Sequence, residues 1–350
     1  MDGPKKRNIE PRDFRAPKLT SRIKNEDVIE LLKSRAGFVS GAEIAEALGV
    51  TRAAIWKKIK LLIKTGYAIE SSPAKGYKLL KSPEFSIEEI RKSLSVHSRT
   101  IGKQIIFFET VGSTNTAAMG FAEKGYPDGT VIIADAQTRG KGRLGRTWVS
   151  PPGKNLYMSV ILKPEIPPTD ATILTLMTAV ACASAVKKLT SIPVSIKWPN
   201  DLIVGNKKLC GILTEIRADM DRISTAVIGI GININLETQD MPDDIKTLAT
   251  SIKLETGEPQ SRTVFAVEIL KGIDKWYDVL IRLGKKIIIE EWLQLSSTIG
   301  QTVTVTTGNT VLTGIAEGID NEGMLILKLP DASFKKISAG DLTVLRTASS

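Results

Sequence analysis

The residues with the greatest concentration of chemistry lie at 137–149, Gln137-Thr-Arg-Gly-Lys-Gly-Arg-Leu-Gly-Arg-Thr-Trp-Val149. Arg139, Lys141, Arg143 and Arg146 supply four cations, while Gly140, Gly142 and Gly145 are expected to take positive φ and bring backbone N–H groups close to a ligand. Such a loop is an anion site, with phosphate the natural guest. Trp148 adds a flat apolar face that suits a base or ring as well as a core. The loop partly imitates two nucleotide signatures, and both fail. Gly140-x4-Gly145 is followed by Arg146 where a P-loop has lysine, and Pro151-Pro152 forbid the helix that should follow. A dinucleotide fingerprint is excluded because Gly140-x-Gly142-x-x-Gly145 opens neither a helix nor a βαβ unit.

Four further stretches accompany the loop: Gly112-Ser-Thr-Asn115, Lys197-Trp-Pro-Asn-Asp201, Lys207-Lys-Leu-Cys-Gly211 and Gly229-Ile-Gly-Ile-Asn233. Taken singly, each has a plain reading. Ser113 and Thr114 read as a helix cap, Trp198 as core and Lys207 as solvated, and Gly229 and Gly231 mark a close backbone approach within a strand. His97, the only histidine, reads as a surface residue, so acid–base chemistry on imidazole is not indicated.

The chain must position these stretches with elements of its own. Its 350 residues suffice for two or three domains, at 42% hydrophobic and 25% charged content. The net charge of +10 is uneven: residues 1–81 hold 18 Lys+Arg against 9 Asp+Glu, and the rest hold 30 against 29. A polyanion partner is therefore expected for the N-terminal segment. Cys182 and Cys210 indicate neither a disulfide scaffold nor a zinc site. The chain start lacks an apolar signal region, and Ile173–Val186 reads as too short and too Thr/Ser-interrupted to span a bilayer, so a cytoplasmic protein without membrane association is expected.

Residues 1–22 read as a basic, disordered tail. Val28, Ile29, Leu31 and Leu32 make one helical face. Ser40-Gly-Ala-Glu43 is a capping box that opens a second helix ending near Gly49. Thr51 caps a third over Arg52–Lys64, with Ile55, Ile59, Leu62 and Ile63 expected inside. Arg52, Lys57, Lys58 and Lys60 face out. Alternation on both sides of a Pro73–Gly76 turn predicts a β-hairpin, and the sum is a winged helix-turn-helix over residues 23–81. Its third helix would enter the major groove, with Lys75 near a phosphate. A protein-interaction module with a solvated basic face is the alternative.

After a Ser-Pro linker at Lys81–Phe85, strands and helices mix. Helices are expected at Ile87–Leu94, Asn115–Lys124, Ala171–Leu189 and Thr263–Leu283. Strands are expected at Gln104–Glu109, Thr130–Ala136, Leu156–Leu162, Val194–Lys197, Leu209–Ile216 and Ala226–Ile234. This order fits a mixed sheet with packed helices, an α+β domain over residues 82–297. Alternation in Thr302–Thr306, Leu312–Ala316, Met324–Leu329 and Leu342–Leu345 predicts a small SH3-like β-barrel over 298–350.

The five motif stretches, in this order and spacing through about 230 residues, resemble those of the biotin protein ligases. With the winged helix in front and the barrel behind, the chain is similar to the bifunctional form that is also the biotin operon repressor. Lys141 stands where many relatives carry Arg, and Cys210 where a small Ala is common.

The resemblance implies an ATP-dependent biotin–[biotin carboxyl-carrier protein] ligase. Biotin carboxylate attacks the α-phosphate of ATP to give biotinyl-5′-adenylate, and a carrier-domain lysine takes the biotin. It implies Arg143 and Lys208 as catalytic residues, and Ser113, Thr114, Asn115, Gln137, Lys141, Gly142, Arg143 and Lys208 as biotin-binding. Arg143, Arg146, Trp148, Asp201 and Asn233 would hold ATP or the adenylate, with Asp201 and Asn233 on the Mg²⁺ side. Implied partners are a biotin carboxyl carrier domain of the acetyl-CoA carboxylase type, operator DNA, and a second copy joined at a sheet edge for which Val194–Lys197 is the expected segment. Two alternatives remain open: a biotin-sensing transcription factor without ligase activity, and a lipoate-type ligase of related fold.

Overall fold

The structure, a computed structural model, describes residues 25–345 apart from 36, 65 and 82–84. The tail expected over 1–22 and most of the Lys81–Phe85 linker lie outside the described residues. The chain divides into two compact units, Met1–Pro83 and Glu84–Ser350.

The first unit contains helices α1 (Asn25–Lys33), α2 (Gly41–Ala47) and α3 (Arg52–Lys64), followed by strands β1 (Ala68–Ser72) and β2 (Gly76–Lys81), which pair antiparallel. The expected capping box is present. Glu43 N–H donates to Ser40 Oγ at 3.1 Å and Ser40 N–H donates to Glu43 Oε2 at 2.7 Å, and these bonds to Ser40 hold the Glu43 carboxyl below its ordinary value. Val28, Leu32, Ile44, Ile55, Ile59, Leu62 and Tyr67 form the core. Ile63 does not join it and is 45% exposed. At about 100° per residue, Ile63 lies past the edge of the stripe made by Ile55, Ile59 and Leu62, the side of α3 that α1 and α2 cover.

The second unit opens with α4 (Ile87–His97), β3 (Ile105–Val111), α5 (Thr114–Glu123), β4 (Val131–Gln137), β5 (Leu156–Leu162) and α6 (Ala171–Leu189). It continues with β6 (Val194–Lys197), β7 (Asp201–Val204), β8 (Lys207–Ala218), β9 (Ile223–Ile232), α7 (Ile252–Thr256), α8 (Arg262–Leu283) and α9 (Lys286–Leu295). The sheet runs β3-β4-β5-β9-β8-β7-β6. Only β3 and β4 are parallel. Strand β5 is buried at every position because helices cover both faces. Met158, Val160 and Leu162 join a cluster with α6 and α8, whereas Ile161 joins Ala118 of α5, Ile132 and Val227 on the opposite face.

Helix α6 corrects one expectation. By length and composition, the stretch Pro168–Leu189 is long and apolar enough to cross a membrane. In the fold it is the core helix, apolar nearly all round because it packs against the sheet, α8 and α9 together.

The last five strands, β10 (Thr302–Thr307), β11 (Thr310–Ile319), β12 (Leu325–Lys328), β13 (Phe334–Ile337) and β14 (Asp341–Val344), form an antiparallel sheet in the order β13-β12-β11-β10-β14. Its inner residues, including Val303, Leu325 and Leu342, belong to the same hydrophobic cluster as the central sheet. Trp198 is part of the join. It is core, as expected, and its Nε1 donates to the Gly323 carbonyl at 3.2 Å. Strands β7 and β13 and helix α9 are not foreseen in the sequence, because their short apolar runs fit helix and strand equally well.

Strand β6 is an edge, as the dimer expectation requires, but its outer side is already engaged. The Ile196 carbonyl accepts from Ser297 N–H at 3.0 Å, and Trp198 N–H donates to Thr298 Oγ1 at 3.0 Å. A different edge is open: β8 is twelve residues long and pairs with β7 only as far as Gly211, leaving 213–218 without a strand on that side among the described residues.

One buried carboxylate fixes the entry to β3. Asp274 of α8 accepts the backbone N–H groups of Arg99, Thr100 and Ile101, each at 2.8 Å. Replacing Asp274 with Ala is expected to lower the stability of this unit by about 3 kcal/mol, since partly buried donors lose a charged acceptor. Denaturant unfolding followed by tryptophan fluorescence measures it; a change below about 0.5 kcal/mol would show that water replaces the carboxylate.

Candidate active site

The loop 137–149 leaves β4 and returns to β5 over a cavity of about 640 Å³. Its two arms are tied by Gly142 N–H donating to the Arg146 carbonyl at 2.7 Å and Trp148 N–H donating to the Gly140 carbonyl at 2.9 Å. The tip is a tight turn at Arg143–Gly145. Contrary to expectation, Gly145 alone of the three glycines has positive φ, at 74°, and Leu144 shares that region at 54°. Gly140 serves a different need: a Cβ there would lie 2.4 Å from the Trp148 carbonyl oxygen, so a side chain would force the arms apart.

The cavity floor is the face of β8 and β9 that lacks side chains. Gly211 and Gly231 are direct partners across the two strands, and the Trp148 indole lies on both. A Cβ at Gly231 would fall 2.5 Å from the ring and one at Gly211 2.9 Å. Two residues back on the same face of β9, a Cβ at Gly229 would meet Asn115 Oδ1 at 2.1 Å. The period-two alternation of a strand thus places 229, 231 and 233 in one row beneath the site.

At the Gly229 end the groups at the start of α5 are neutral and polar, beside one Lys141–Glu215 ion pair. Ser113, Thr114 and Asn115 are each 4% exposed and stand at the start of α5. Ser113 is the N-cap position, yet its hydroxyl makes no cap bond. Thr114 N–H donates to Gln137 Oε1 at 2.8 Å, which leaves Gln137 Nε2 to donate to Ser150 Oγ at 3.0 Å. Asn115 Nδ2 donates to Glu215 Oε2 at 2.8 Å, and its oxygen accepts from Ser159 Oγ at 2.7 Å. Lys141 reaches the other Glu215 oxygen at 3.5 Å.

At the opposite end the groups are charged. Lys208 Nζ pairs with Asp201 at 2.7 Å and stands 5.5 Å from the centre of the Trp148 ring. Its backbone is held from both sides, with Lys208 N–H donating to the Leu248 carbonyl at 2.7 Å and Thr250 N–H donating to the Lys208 carbonyl at 2.9 Å. Arg143 Nη1 donates to Asn200 Oδ1 at 3.0 Å and to the Gly340 carbonyl at 3.4 Å. Burial pushes the Arg143 pKa down, opposed by the charges of Asp201 and Asp341; a guanidinium remains protonated at neutral pH regardless. Arg146 forms an ion pair with Asp341 of β14.

All the expected ligand-site residues therefore meet around one cavity: Ser113, Thr114, Asn115, Gln137, Lys141, Gly142, Arg143, Arg146, Trp148, Asp201, Lys208 and Asn233. Asn233 lines the cavity with both ends of its side-chain amide engaged. Its amide nitrogen donates to the Thr250 carbonyl at 2.9 Å and its oxygen accepts from Asn155 Nδ2 at 3.2 Å. It therefore braces the segment that pins Lys208, which leaves little of the side chain for a metal. Among the described residues no three His, Cys, Asp or Glu side chains cluster as a metal site.

Sequence reasoning missed Asn200, Glu215 and Asp341. Asn200 adjoins Asp201 in a motif already recognised and could have been found there. Asp341 arrives from a separate sheet and carries no local signal. Cys210 and Cys182 are both free and buried, and their mutual contact and burial push the Cys210 thiol well up, making it inert packing. In the first unit, Arg52, Lys57, Lys60 and Lys75 are exposed and Lys58 partly so.

Residues 107–233 match the Biotin/lipoate A/B protein ligase family, 24–78 an HTH domain and 298–342 the Biotin protein ligase C terminal domain. The Bifunctional ligase/repressor BirA of Bacillus subtilis strain 168 is 39% identical over 320 residues, covering 91% of this chain and 97% of that protein. The protein of the same name from Escherichia coli K12 is 30% identical over 317 residues, covering 91% and 96%. The biotin protein ligase from Aquifex aeolicus, solved in complex with biotin and ATP, superposes with a TM-score of 0.60 at 29% identity, over 70% of this chain and all of that one. The chain belongs to the biotin protein ligase family, in its bifunctional ligase/repressor branch.

The glycine floor gives a direct test. Gly231→Ala is expected to displace the Trp148 ring and weaken biotin binding by at least about tenfold, the scale of one lost well-packed contact in a buried pocket. Titration calorimetry with biotin reads the affinity and a thermal melt the fold; unchanged affinity would mean that the indole seat is not part of the ligand site.

Proposed function

We propose that this chain is an ATP-dependent biotin protein ligase that also represses transcription in response to biotin. The observation that carries the reading is the division of one cavity into a neutral hydrogen-bonding end at Ser113, Thr114, Asn115 and Gln137 and a cationic end at Arg143, Arg146 and Lys208. Biotin has this shape of chemistry: a neutral ureido ring that needs paired donors and acceptors, and a carboxylate at the far end of an apolar chain. Lipoate's apolar dithiolane would leave the polar end unsatisfied.

In the first half-reaction a biotin carboxylate oxygen bonds to the α-phosphorus of ATP and the bond to the β-phosphate bridging oxygen breaks, releasing pyrophosphate. The requirement is to bring two anions together and hold them in line, which fixed cations meet. Lys208, its backbone pinned and its ammonium beside Asp201, neutralises carboxylate and α-phosphate oxygens. Arg143 and Arg146 grip the phosphates, and Trp148 covers the bound chain or the base. In the second half-reaction the ε-amine of a carrier lysine attacks the acyl carbon, AMP leaves, and the amine's proton passes to solvent. The carrier is a biotin carboxyl carrier domain of the acetyl-CoA carboxylase type.

Mg²⁺ fits in part. Asp201 supplies one hard carboxylate oxygen, enough for an ion that takes most of its ligands from phosphates and water, whereas Asn233 is committed to Thr250 and Asn155. Bound there, the ion would screen the triphosphate charge.

For repression, the first unit reads operator DNA through α3 and the β1–β2 wing, and the adenylate is corepressor. The edge of β8 at 213–218 is a better seam for a homodimer than β6, because no strand among the described residues pairs with it on that side.

Lys208→Ala is expected to lower the rate of pyrophosphate release about a hundredfold, or about 3 kcal/mol of transition-state stabilisation, with little change in stability. A full-rate variant would move the carboxylate clamp elsewhere. Arg143→Gly should fold normally and release the adenylate faster, so that bystander lysines become biotinylated. Stopped-flow measurement of the adenylate off-rate decides this, and an unchanged rate rejects the role. Mass spectrometry of a carrier domain incubated with the chain, biotin, ATP and Mg²⁺ tests the ligase as a whole; no mass increase would leave a biotin-sensing regulator without ligase activity.

A further inference from the structure

The outer face of α3 carries a feature that its cations do not account for. Trp56 is 48% exposed, and Lys60, one turn on, holds its ammonium 3.9 Å from the indole centre. The residue before Trp56 is the wholly buried Ile55, so the helix itself is firmly seated and the ring is presented outward from a rigid support. Tryptophan is enriched among the residues that carry binding energy at contact surfaces.

The charge around it says what kind of surface. Helix α3 has Arg52, Lys57, Lys58, Lys60 and Lys64 and no carboxylate along its thirteen residues. The acids of α2, Glu43 and Glu46, belong to a different helix, and Glu43 is turned back into its capping box. A partner on this side of the helix meets Arg52, Lys60 and Lys64 around Trp56 and the half-exposed Ile63, and a nucleic acid supplies phosphates for such cations and base edges and methyl groups for the apolar side chains. At 100° per residue, Trp56 shares its side of the helix with Arg52, Ala53 and Lys60, and with Ile63 two turns on, and it lies in the N-terminal half that a helix-turn-helix presents to base edges.

We propose that Trp56 is a specificity-determining residue for operator DNA, its indole packing on thymine methyl groups in the major groove beside the Lys60 ammonium that lies over the ring. The inference rests on the DNA-reading role of the first unit. In the major groove, the C5-methyl group is the apolar mark that distinguishes thymine, and only an apolar side chain is rewarded for touching it. Lysines report phosphate density and so bind all sequences alike. The indole gives this helix a means of choosing among them.

The test uses the full chain in the presence of biotin and ATP. A pool of duplexes with a randomised core is enriched on the wild type and on Trp56→Ala, and the wild-type site is then remade with deoxyuridine at each thymine in turn. This substitution removes one methyl group and keeps every base-pair hydrogen bond. Wild type is expected to select a site with a fixed thymine in each half and to lose about fivefold in affinity when that thymine becomes deoxyuridine. Trp56→Ala is expected to bind the same site about tenfold more weakly, to be indifferent to the methyl, and to keep the wild-type salt dependence because no phosphate contact is lost. Lys57→Ala should do the reverse, flattening the salt dependence and leaving the methyl effect intact. Trp56→Gln serves as a second variant should the alanine form melt early, and must likewise lose the methyl effect.

Equal penalties for deoxyuridine in wild type and Trp56→Ala would overturn the proposal. So would a Trp56→Ala protein that selects the same sites but changes its sedimentation, which would assign the ring to contact with a second copy. If the wild type enriches no sequence at all, the DNA-reading role fails and the proposal with it, a result distinct from enrichment that ignores the ring.

Discussion

The site depends on a steric vacancy in a β-sheet. Gly211 and Gly231, opposite one another on β8 and β9, leave a bare patch of backbone on which an indole can lie. Trp148 fills it, and because Trp148 closes the arm of the loop that begins at Gly140, the ring anchors the whole cationic segment to the sheet. The same device is repeated two residues away, where bare Gly229 admits Asn115. Glycine weakens a strand, and this sheet carries the cost at central strands, where β5 and β8 on either side of β9 supply pairing along its length.

The second constraint is electrostatic. Four cations of the loop and β8 converge on one cavity, and each has an acceptor: Lys141 with Glu215, Lys208 with Asp201, Arg146 with Asp341, and Arg143 with Asn200 and the Gly340 carbonyl. Mutual repulsion is offset while the charges stay concentrated where an anion would meet them. Two of those acceptors, Gly340 and Asp341, come from the terminal sheet and the turn that leads into it. That sheet is therefore a wall of the cavity, joined to the central domain by a common core and by Trp198, and its loss would release the loop arginines as well as expose apolar surface.

Rigidity is supplied from behind. The buried helix α6 and the sheet it supports make β8 and β9 a fixed platform, and the segment 248–250 clips Lys208 to it through two backbone bonds. Asn233 and Asn155 brace that segment in turn. Asn233 thus helps fix the backbone of Lys208, and its side-chain amide suits this because it donates and accepts at once.

Much was legible in the sequence, for local reasons. Helix and strand extents follow from period and capping, as with Ser40–Glu43 and Arg52–Lys64, and the basic α3 follows from composition. The motif residues Ser113, Arg143 and Lys208 could be named because each sits in a short stretch with a characteristic order. What tertiary structure alone decided is what those residues face. Gly140 is a glycine because the Trp148 carbonyl approaches it, not because of positive φ. Asn233 is a brace because Thr250 lies against it. Ile63 is exposed because α1 and α2 cover only part of α3. The edge of β6 is closed by residues about a hundred positions away. Sequence records the preferences of a segment over a few residues; burial, pairing and charge compensation are properties of neighbours in space, and Asp341 meets Arg146 only once two sheets have shared a core.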